Sequence, residues 1–242
     1  GGKEFIDLTL GNRLIVGQPA GSFVGATYVG TWKTQEEIDA SKGFMANVKP
    51  GDPRFADTNN NGKFDGYGDY SYLGSPQPKA FGGIRNVIRF NGLTLDFFWQ
   101  GVFGNQIMNE NASRLFFGDF ASNTHILTRN RWTPQNPTSD IPRASGFIRA
   151  DHTLANSVWV QDGSFARLKT ARLSYTFSGT KYPWLKQASI YITGNNLLLF
   201  DKYDWGYDPE VNSFGTNSVI QGRDTYSYPQ NRSILLGLNL QL

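Results

Sequence analysis

Ser233-Ile234-Leu235-Leu236-Gly237-Leu238-Asn239-Leu240-Gln241-Leu242 closes the sequence. Ile234, Leu236, Leu238, Leu240 and Leu242 alternate with Ser233, Gly237, Asn239 and Gln241, and only Leu235 breaks the polar set. Successive side chains of a strand point to opposite faces, so this is a strand with one apolar and one mostly polar face. Chain ends usually fray, yet this one stays apolar to its last residue. The closing strand of an outer-membrane β-barrel has that pattern, and so does a docked terminal strand of a soluble sandwich. The segment alone does not separate the two.

Working back from it, the clearest hairpin lies at 81–103. Gly82 to Phe90 leads into Asn91-Gly92, the strongest two-residue hairpin signal, and the return strand runs from Leu93 to Phe103. Leu93, Leu95, Phe97 and Trp99 share one face of that strand, and Asp96 and Gln100 lie on the other. Further strands are predicted over Ser164–Phe177 and Ala188–Leu197, with an outgoing strand somewhere in Gly21–Gly30 and an incoming one at Phe5–Leu10. Connections alternate: short at Asn91, long from about Gly104 to Gly163, short near Gly179 and Pro183, long from about Asp201 to Gln230. Barrels sort short turns to the inner side and long loops to the outer side. A sandwich has no reason to do so. Loops of this length are uncommon in a compact domain and are usually functional.

Composition agrees. Charged residues are only 18% and aromatic residues 14% of the 242 positions, with 27 glycines, which suits aromatic girdles, tight turns and a band without charge. There is no cysteine, which excludes disulfides and thiolate metal sites. The net charge of +3 is too small and dispersed to argue for nucleic acid. No apolar run reaches the roughly 18 residues of a transmembrane helix, which leaves a strand-built membrane protein open. Gly1-Gly2-Lys3-Glu4-Phe5 carries no signal peptide or initiator methionine, so the chain is expected to begin inside a longer protein.

One stretch carries metal chemistry. Asp57, Asn59, Asn61, Lys63 and Asp65 hold positions one, three, five, seven and nine of an EF-hand-type calcium loop, and Gly62 supplies its sharp turn. The twelfth position is Gly68 instead of an acid, with Asp69 one place late, so any calcium should bind weakly. The alternative is an Asn/Gly turn that satisfies its own backbone. No flanking EF-hand helices are expected, given Pro53 upstream and Tyr67-Gly68-Asp69 downstream. No catalytic constellation is present. His125 and His152 stand alone in polar sequence and read as solvated. In the loops, Trp132, Tyr203, Trp205 and Tyr207 are candidates to stack on a sugar or peptide, or else to pack within the loops themselves.

In order along the chain come Val16-Gly17-Gln18-Pro19, Gly30-Thr31-Trp32-Lys33 with Thr34-Gln35-Glu36-Glu37, Pro50-Gly51-Asp52, Gly74-Ser75-Pro76-Gln77-Pro78, Phe98-Trp99-Gln100-Gly101, Asn130-Arg131-Trp132-Thr133, Asp162-Gly163-Ser164-Phe165-Ala166-Arg167-Leu168-Lys169, Gly194-Asn195-Asn196-Leu197, Gly206-Tyr207-Asp208-Pro209-Glu210-Val211 and Tyr228-Pro229-Gln230. Each piece is weak, but the ordered set from Val16 onward resembles the C-terminal part of SusC/RagA-like TonB-linked outer-membrane transporters. That resemblance implies an all-β antiparallel barrel of about 22 strands, of which six or seven lie here. It also implies a plug domain and other barrel strands elsewhere in the protein, a SusD-like lipoprotein as lid, and a TonB-type energy-coupling protein. The expected role is import of glycans or peptides across the outer membrane, without enzymatic activity. Two features depart from the family: residues 1–242 hold no plug or coupling segment, and the last residue is Leu242 where the family usually has an aromatic residue.

On this reading Leu93, Leu95, Phe97, Trp99, Leu236, Leu238 and Leu240 face lipid, and Asp96, Gln100, Asn239 and Gln241 face the lumen. The last strand should pair on one side with Ala188–Leu197 and on the other with a strand outside this chain, and the strand near Phe5 should likewise continue onto an absent neighbour. The competing reading is a soluble, secreted, calcium-stabilised β-sandwich that binds carbohydrate.

Overall fold

A computed structural model describes residues 5–8, 11–117, 123–145, 155–178, 184–211, 213–215, 217 and 219–241. Leu242, His152, Gly179, Pro183 and the Thr9–Leu10 end of the first predicted strand lie outside them.

The regular structure of the described residues is mainly antiparallel strand: β1 (Phe5–Asp7), β2 (Asn12–Ile15), β3 (Ser22–Ala26), β4 (Tyr28–Thr31), β5 (Pro53–Phe55), β6 (Tyr70–Gly74), β7 (Ala80–Phe90), β8 (Leu93–Phe103), β9 (Gln106–Asn109), β10 (Val160–Asp162), β11 (Phe165–Ser178), β12 (Gln187–Asp201), β13 (Arg223–Asp224) and β14 (Ser233–Gln241). Among the described residues two short α-helices interrupt them, α1 (Gln35–Ala40) and α2 (Asn111–Phe117). Thr34 caps α1 by accepting from the Glu37 amide, with Glu36 and Glu37 in the first turn.

Five strands form one continuous sheet in the order β14-β12-β11-β8-β7. Of the six or seven wall strands expected, these five run together, while β1, β2, β3 and β6 pair in a second sheet of their own. The β7–β8 turn is the expected Asn91-Gly92, both residues at positive φ (45° and 80°), as a type I′ hairpin requires. The terminal strand pairs with β12 from Gln187↔Gln241 to Asn195↔Ser233, the neighbour expected for it. The large sheet ends at β14 and β7, and neither strand has a second partner among the described residues. Its second open edge is therefore β7; the strand near Phe5 is the outer strand of the smaller sheet. The predicted Gly21–Gly30 strand is split into β3 and β4, which pair with different neighbours, β2 and β6 for β3 and β5 for β4.

Register fixes the polarity of the sheet. Ala80 pairs with Phe103, Phe165 with Val102 and Asp201, and Ser233 with Asn195. Everything before β7, the β8–β11 connection and the β12–β14 connection therefore leave from one end, and the two short turns occupy the other. At the long-connection end the polypeptide packs into a cap. The stretches predicted as long loops are partly structured there. In the cap β9 pairs antiparallel with β10 and parallel with β13. Phe23, Met108, Ala112, Phe116, Ala155 and Trp159 bury one another in one cluster. Ala26, Trp32, Met45, Val48 and Phe55 form a second. Among the described residues Phe165, at the cap end of β11, is the only buried apolar side chain of the large sheet. Among the described residues the sheet itself has no core beneath it.

Candidate functional site

The register sorts the large sheet into two chemically distinct faces. On one, Phe90, Leu93, Tyr175, Ile190 and Leu238 form a row across all five strands, followed by Ile88, Leu95, Leu173, Ile192 and Leu236. Asn86, Phe97, Ala171, Gly194 and Ile234 come next, and then Ile84, Trp99, Leu168 and Leu198. Leu240, opposite Ala188, shares this face. Among the described residues no second sheet covers it: Leu236, Leu238 and Leu240 are 78%, 61% and 53% exposed. That is incompatible with the buried inner face a sandwich would give this strand. The opposite face carries the rows Arg89-Thr94-Ser174-Tyr191-Gly237 and Val87-Asp96-Arg172-Thr193-Leu235, with Gln100, Asn239 and Gln241 on the same side.

The cap is fastened to the sheet by charge pairs that composition alone does not reveal. Arg167, on β11, is buried and pairs with Asp208 of the β12–β14 connection. Asp208 also accepts from the Glu210 and Gln230 amides at 2.9 and 3.0 Å. Glu210 in turn takes Lys169 at 2.6 Å and approaches Arg167 at 3.3 Å. Nearby, Tyr203 donates to the buried Asp224 carboxylate at 2.7 Å, and Arg223 pairs with Glu110. Burial, and then the Asp224 carboxylate, push the Tyr203 phenol well above its ordinary range. Burial and Asp140 do the same to Tyr28. Desolvation draws Arg223 down, and the hydrogen bond from Ser164 holds the Asp162 carboxyl below the usual carboxylate range.

Asp57 to Asp65 folds as a turn closed on itself. Asp57 accepts from the Asn61 and Gly62 amides at 3.2 and 2.8 Å, Asn59 from Asn61 at 3.0 Å, and Asn61 from Lys63 at 2.8 Å. Asp65 takes the side-chain amide of Asn61 at 3.0 Å. Asp69, the acid one place late, is fully buried and accepts from Thr58 and Asp65 at 2.9 and 3.0 Å. Gly68, at the twelfth position, supplies no carboxylate, and the Asp65 and Asn59 side chains fold over it. Among the described residues no group of three or more acids or histidines is placed to hold a metal. The residues present fit a self-satisfied turn better than a calcium shell.

The four loop aromatics part company. Tyr203 is buried with its hydroxyl taken. Trp132 is half-buried over Gly51, where a Cβ would meet its ring at 2.5 Å. Trp205 stacks on Phe116 at 4.9 Å between centroids and on His125 at 6.2 Å. Tyr207 alone of the four is strongly exposed, at 78%. His125 is not simply solvated, because its Nδ1 also accepts from the Leu127 amide. Sequence reasoning missed Arg167, Asp208, Glu210 and Asp224. The signal was available in the first three: a charged residue on a strand's polar face, and a Tyr-Asp-Pro-Glu run in the connection.

No family model matches the chain. The TonB-dependent receptor P26 of Formosa agariphila is 41% identical over 254 residues, covering 99% of this chain and 25% of the receptor. The TonB-dependent receptor SusC of Bacteroides thetaiotaomicron is 25% identical over 203 residues, covering 81% of this chain and 18% of SusC. A structure of the RagAB peptide transporter superposes with a TM-score of 0.76 at 20% identity, covering 97% of this chain and 24% of the transporter chain. The chain thus spans 18% to 25% of the length of the curated relatives it matches, and these relatives are receptors and transporters rather than enzymes. Among the described residues no helix is long and apolar enough to cross a membrane, a test that strands do not enter. The chain belongs to the SusC/RagA-like TonB-dependent receptors of the Gram-negative outer membrane, and its antiparallel sheet is a portion of their β-barrel fold.

Proposed function

We propose that residues 1–242 are the C-terminal part of an energy-coupled outer-membrane importer, contributing wall and outer cap. The observation that carries this is the segregation of the large sheet into an uncovered apolar face and a polar face, with all long connections at one end. Leu93, Leu95, Phe97, Trp99, Leu236, Leu238 and Leu240 face lipid. Asp96, Gln100, Asn239 and Gln241 face the lumen. The cap lies outside the cell and the two short turns face the periplasm, the arrangement barrels of this kind adopt. Backbone groups left open in lipid cost several kcal/mol each, so β7 and β14 must meet further strands of the same receptor. The remainder of the receptor supplies the plug and those strands. A SusD-like lipoprotein covers the cap, and a TonB-type protein drives import of glycans or peptides through the rest of the chain. Of the four candidate loop aromatics, Tyr207 is the one exposed enough to touch cargo or lid. The protein acts by transport, with no catalytic step.

The test is site-directed spin labelling of the full receptor in lipid. Labels at Leu95 and Leu238 should be relaxed by oxygen, and labels at Asp96 and Asn239 by a water-soluble nickel reagent. A label at Leu238 that sits in water would overturn the reading.

A further inference from the structure

We infer that the Asp57 turn is a self-modifying site, at which the side-chain amide of Asn61 is converted to a carboxylate after attack by the Gly62 backbone nitrogen. Both residues are exposed, and no atom lies within 4 Å of where a Cβ at Gly62 would stand. The reaction is helped by a base at the attacking nitrogen and a donor at the carbonyl oxygen. The turn supplies both. Asp57 Oδ2 accepts from the Gly62 N–H at 2.8 Å, within the reach of a general base. Asp57 Oδ1 is fixed by the Asn61 amide at 3.2 Å, which aims the carboxylate. The Lys63 amide donates to Asn61 Oδ1 at 2.8 Å, where negative charge gathers as the carbonyl carbon becomes tetrahedral. The ring closed by that bond contains the Gly62 nitrogen, which keeps it beside Asn61 Cγ. The departing nitrogen, Asn61 Nδ2, donates to Asp65 at 3.0 Å. These two bonds also settle which end of the amide is which: turned over, its oxygen would face the Asp65 carboxylate and its NH₂ the Lys63 N–H.

In the first step the Gly62 nitrogen bonds to Asn61 Cγ as its proton passes to Asp57. The Cγ–Nδ2 bond breaks, and Nδ2 leaves as ammonia with that proton returned through water. Water then opens the five-membered imide at either carbonyl, leaving aspartate or isoaspartate at position 61. Water is the only co-reactant. The product has a carboxylate where an amide donated to Asp65, so a bond becomes a repulsion between like charges and the turn loosens. The other Asn-Gly pair of the sequence, Asn91-Gly92, is built differently. It is pinned in the β7–β8 hairpin, the Gly92 carbonyl accepts from the Thr176 amide at 2.8 Å, and among the described residues no carboxylate accepts from the Gly92 amide.

The test is to age the purified full receptor in neutral buffer, folded and unfolded in urea, and to follow Asn61 and Asn91 by peptide mass spectrometry. Asn61 should convert at least about tenfold faster in the folded receptor than in urea, a modest share of what a positioned base supplies. Asn91 should show no such acceleration. Asp57→Asn, which keeps one oxygen for the turn, should bring Asn61 down to the rate in urea. Conversion of Asn61 that is no faster folded than unfolded would overturn the proposal, and so would an equal acceleration at Asn91. A parent-like rate in Asp57→Asn would overturn the assignment of the base. Receptor converted at Asn61 should be cut by trypsin at Lys63 faster than unconverted receptor, and equal cutting would overturn the loosening of the turn.

Discussion

Arg167 and Asp208 meet as a buried ion pair, 41 residues apart, where the cap joins the sheet. The pair ties the β12–β14 connection to β11, and Asp208 also orders both ends of that connection through the Glu210 and Gln230 amides. Removing one partner of a buried pair leaves an uncompensated charge and costs about 3–5 kcal/mol. Asp208→Ala in the full receptor should therefore loosen this connection. Limited trypsin digestion should cut at Lys202 and Arg232 markedly faster than in the parent. Equal cutting rates would show that the pair does not hold the loop.

Leu238 and Asn239 are neighbours on opposite faces of β14, with Leu238 beside Ile190 and Asn239 beside Ser189. Leu238→Arg should destabilise the folded receptor by about 2–4 kcal/mol if it lies near the bilayer midplane. Asn239→Arg should be tolerated. Denaturant titration of the two variants in lipid checks the contrast, and equal costs would contradict the assignment of faces.

Gly25 sits against Ala155, where the Ala26 amide donates to the Ala155 carbonyl at 2.9 Å. A Cβ at Gly25 would run into that carbonyl. Gly25→Ala should cost about 1–3 kcal/mol through overpacking. Hydrogen exchange should rise in β3 while remaining unchanged in β14. Unchanged exchange in both would mean that the two segments are not locked together.

The Asp57 turn accepts its own amides, and position twelve has no acid. Calorimetry should detect no calcium binding tighter than about 10⁻³ M, the weak end for extracellular modules. Asp57→Ala should nonetheless weaken the turn by roughly 1 kcal/mol, because the Asn61 and Gly62 amides lose their acceptor. Binding tighter than about 10⁻⁴ M that vanishes in Asp57→Ala would restore the metal reading.

Tyr203 is raised first by burial and then by Asp224. A phenol whose folded value is raised contributes stability that is complete below its unfolded value, near 10, and is lost as pH climbs past it. The cap should accordingly weaken above about pH 10, and Tyr203→Phe should reduce that alkaline loss. Near-ultraviolet circular dichroism of parent and variant between neutral and strongly alkaline pH measures it. Identical alkaline profiles would show that Tyr203 is not a source of the loss.

The long strands were legible in the sequence because strand alternation is local. Leu93 to Phe103 and Ser233 to Leu242 display their period of two within ten or so residues, and Asn91-Gly92 needs only its own two positive φ angles. Alternating connection lengths were enough to place both long ones at one end. The cap was not legible. Its strands are two to five residues long, and its core joins Phe23, Met108 and Trp159, far apart in the chain and with no period between them. The same holds for the candidate site. Face membership of Asp96, Gln100 and Leu238 could be read from alternation. That Tyr203 would be buried and Tyr207 exposed, and that Arg167 would find Asp208, depended on which segments meet. Periodicity follows from the backbone's own geometry and is present in any short window. Pairing across the chain follows from register and packing among segments tens of residues apart, and only the folded molecule decides it.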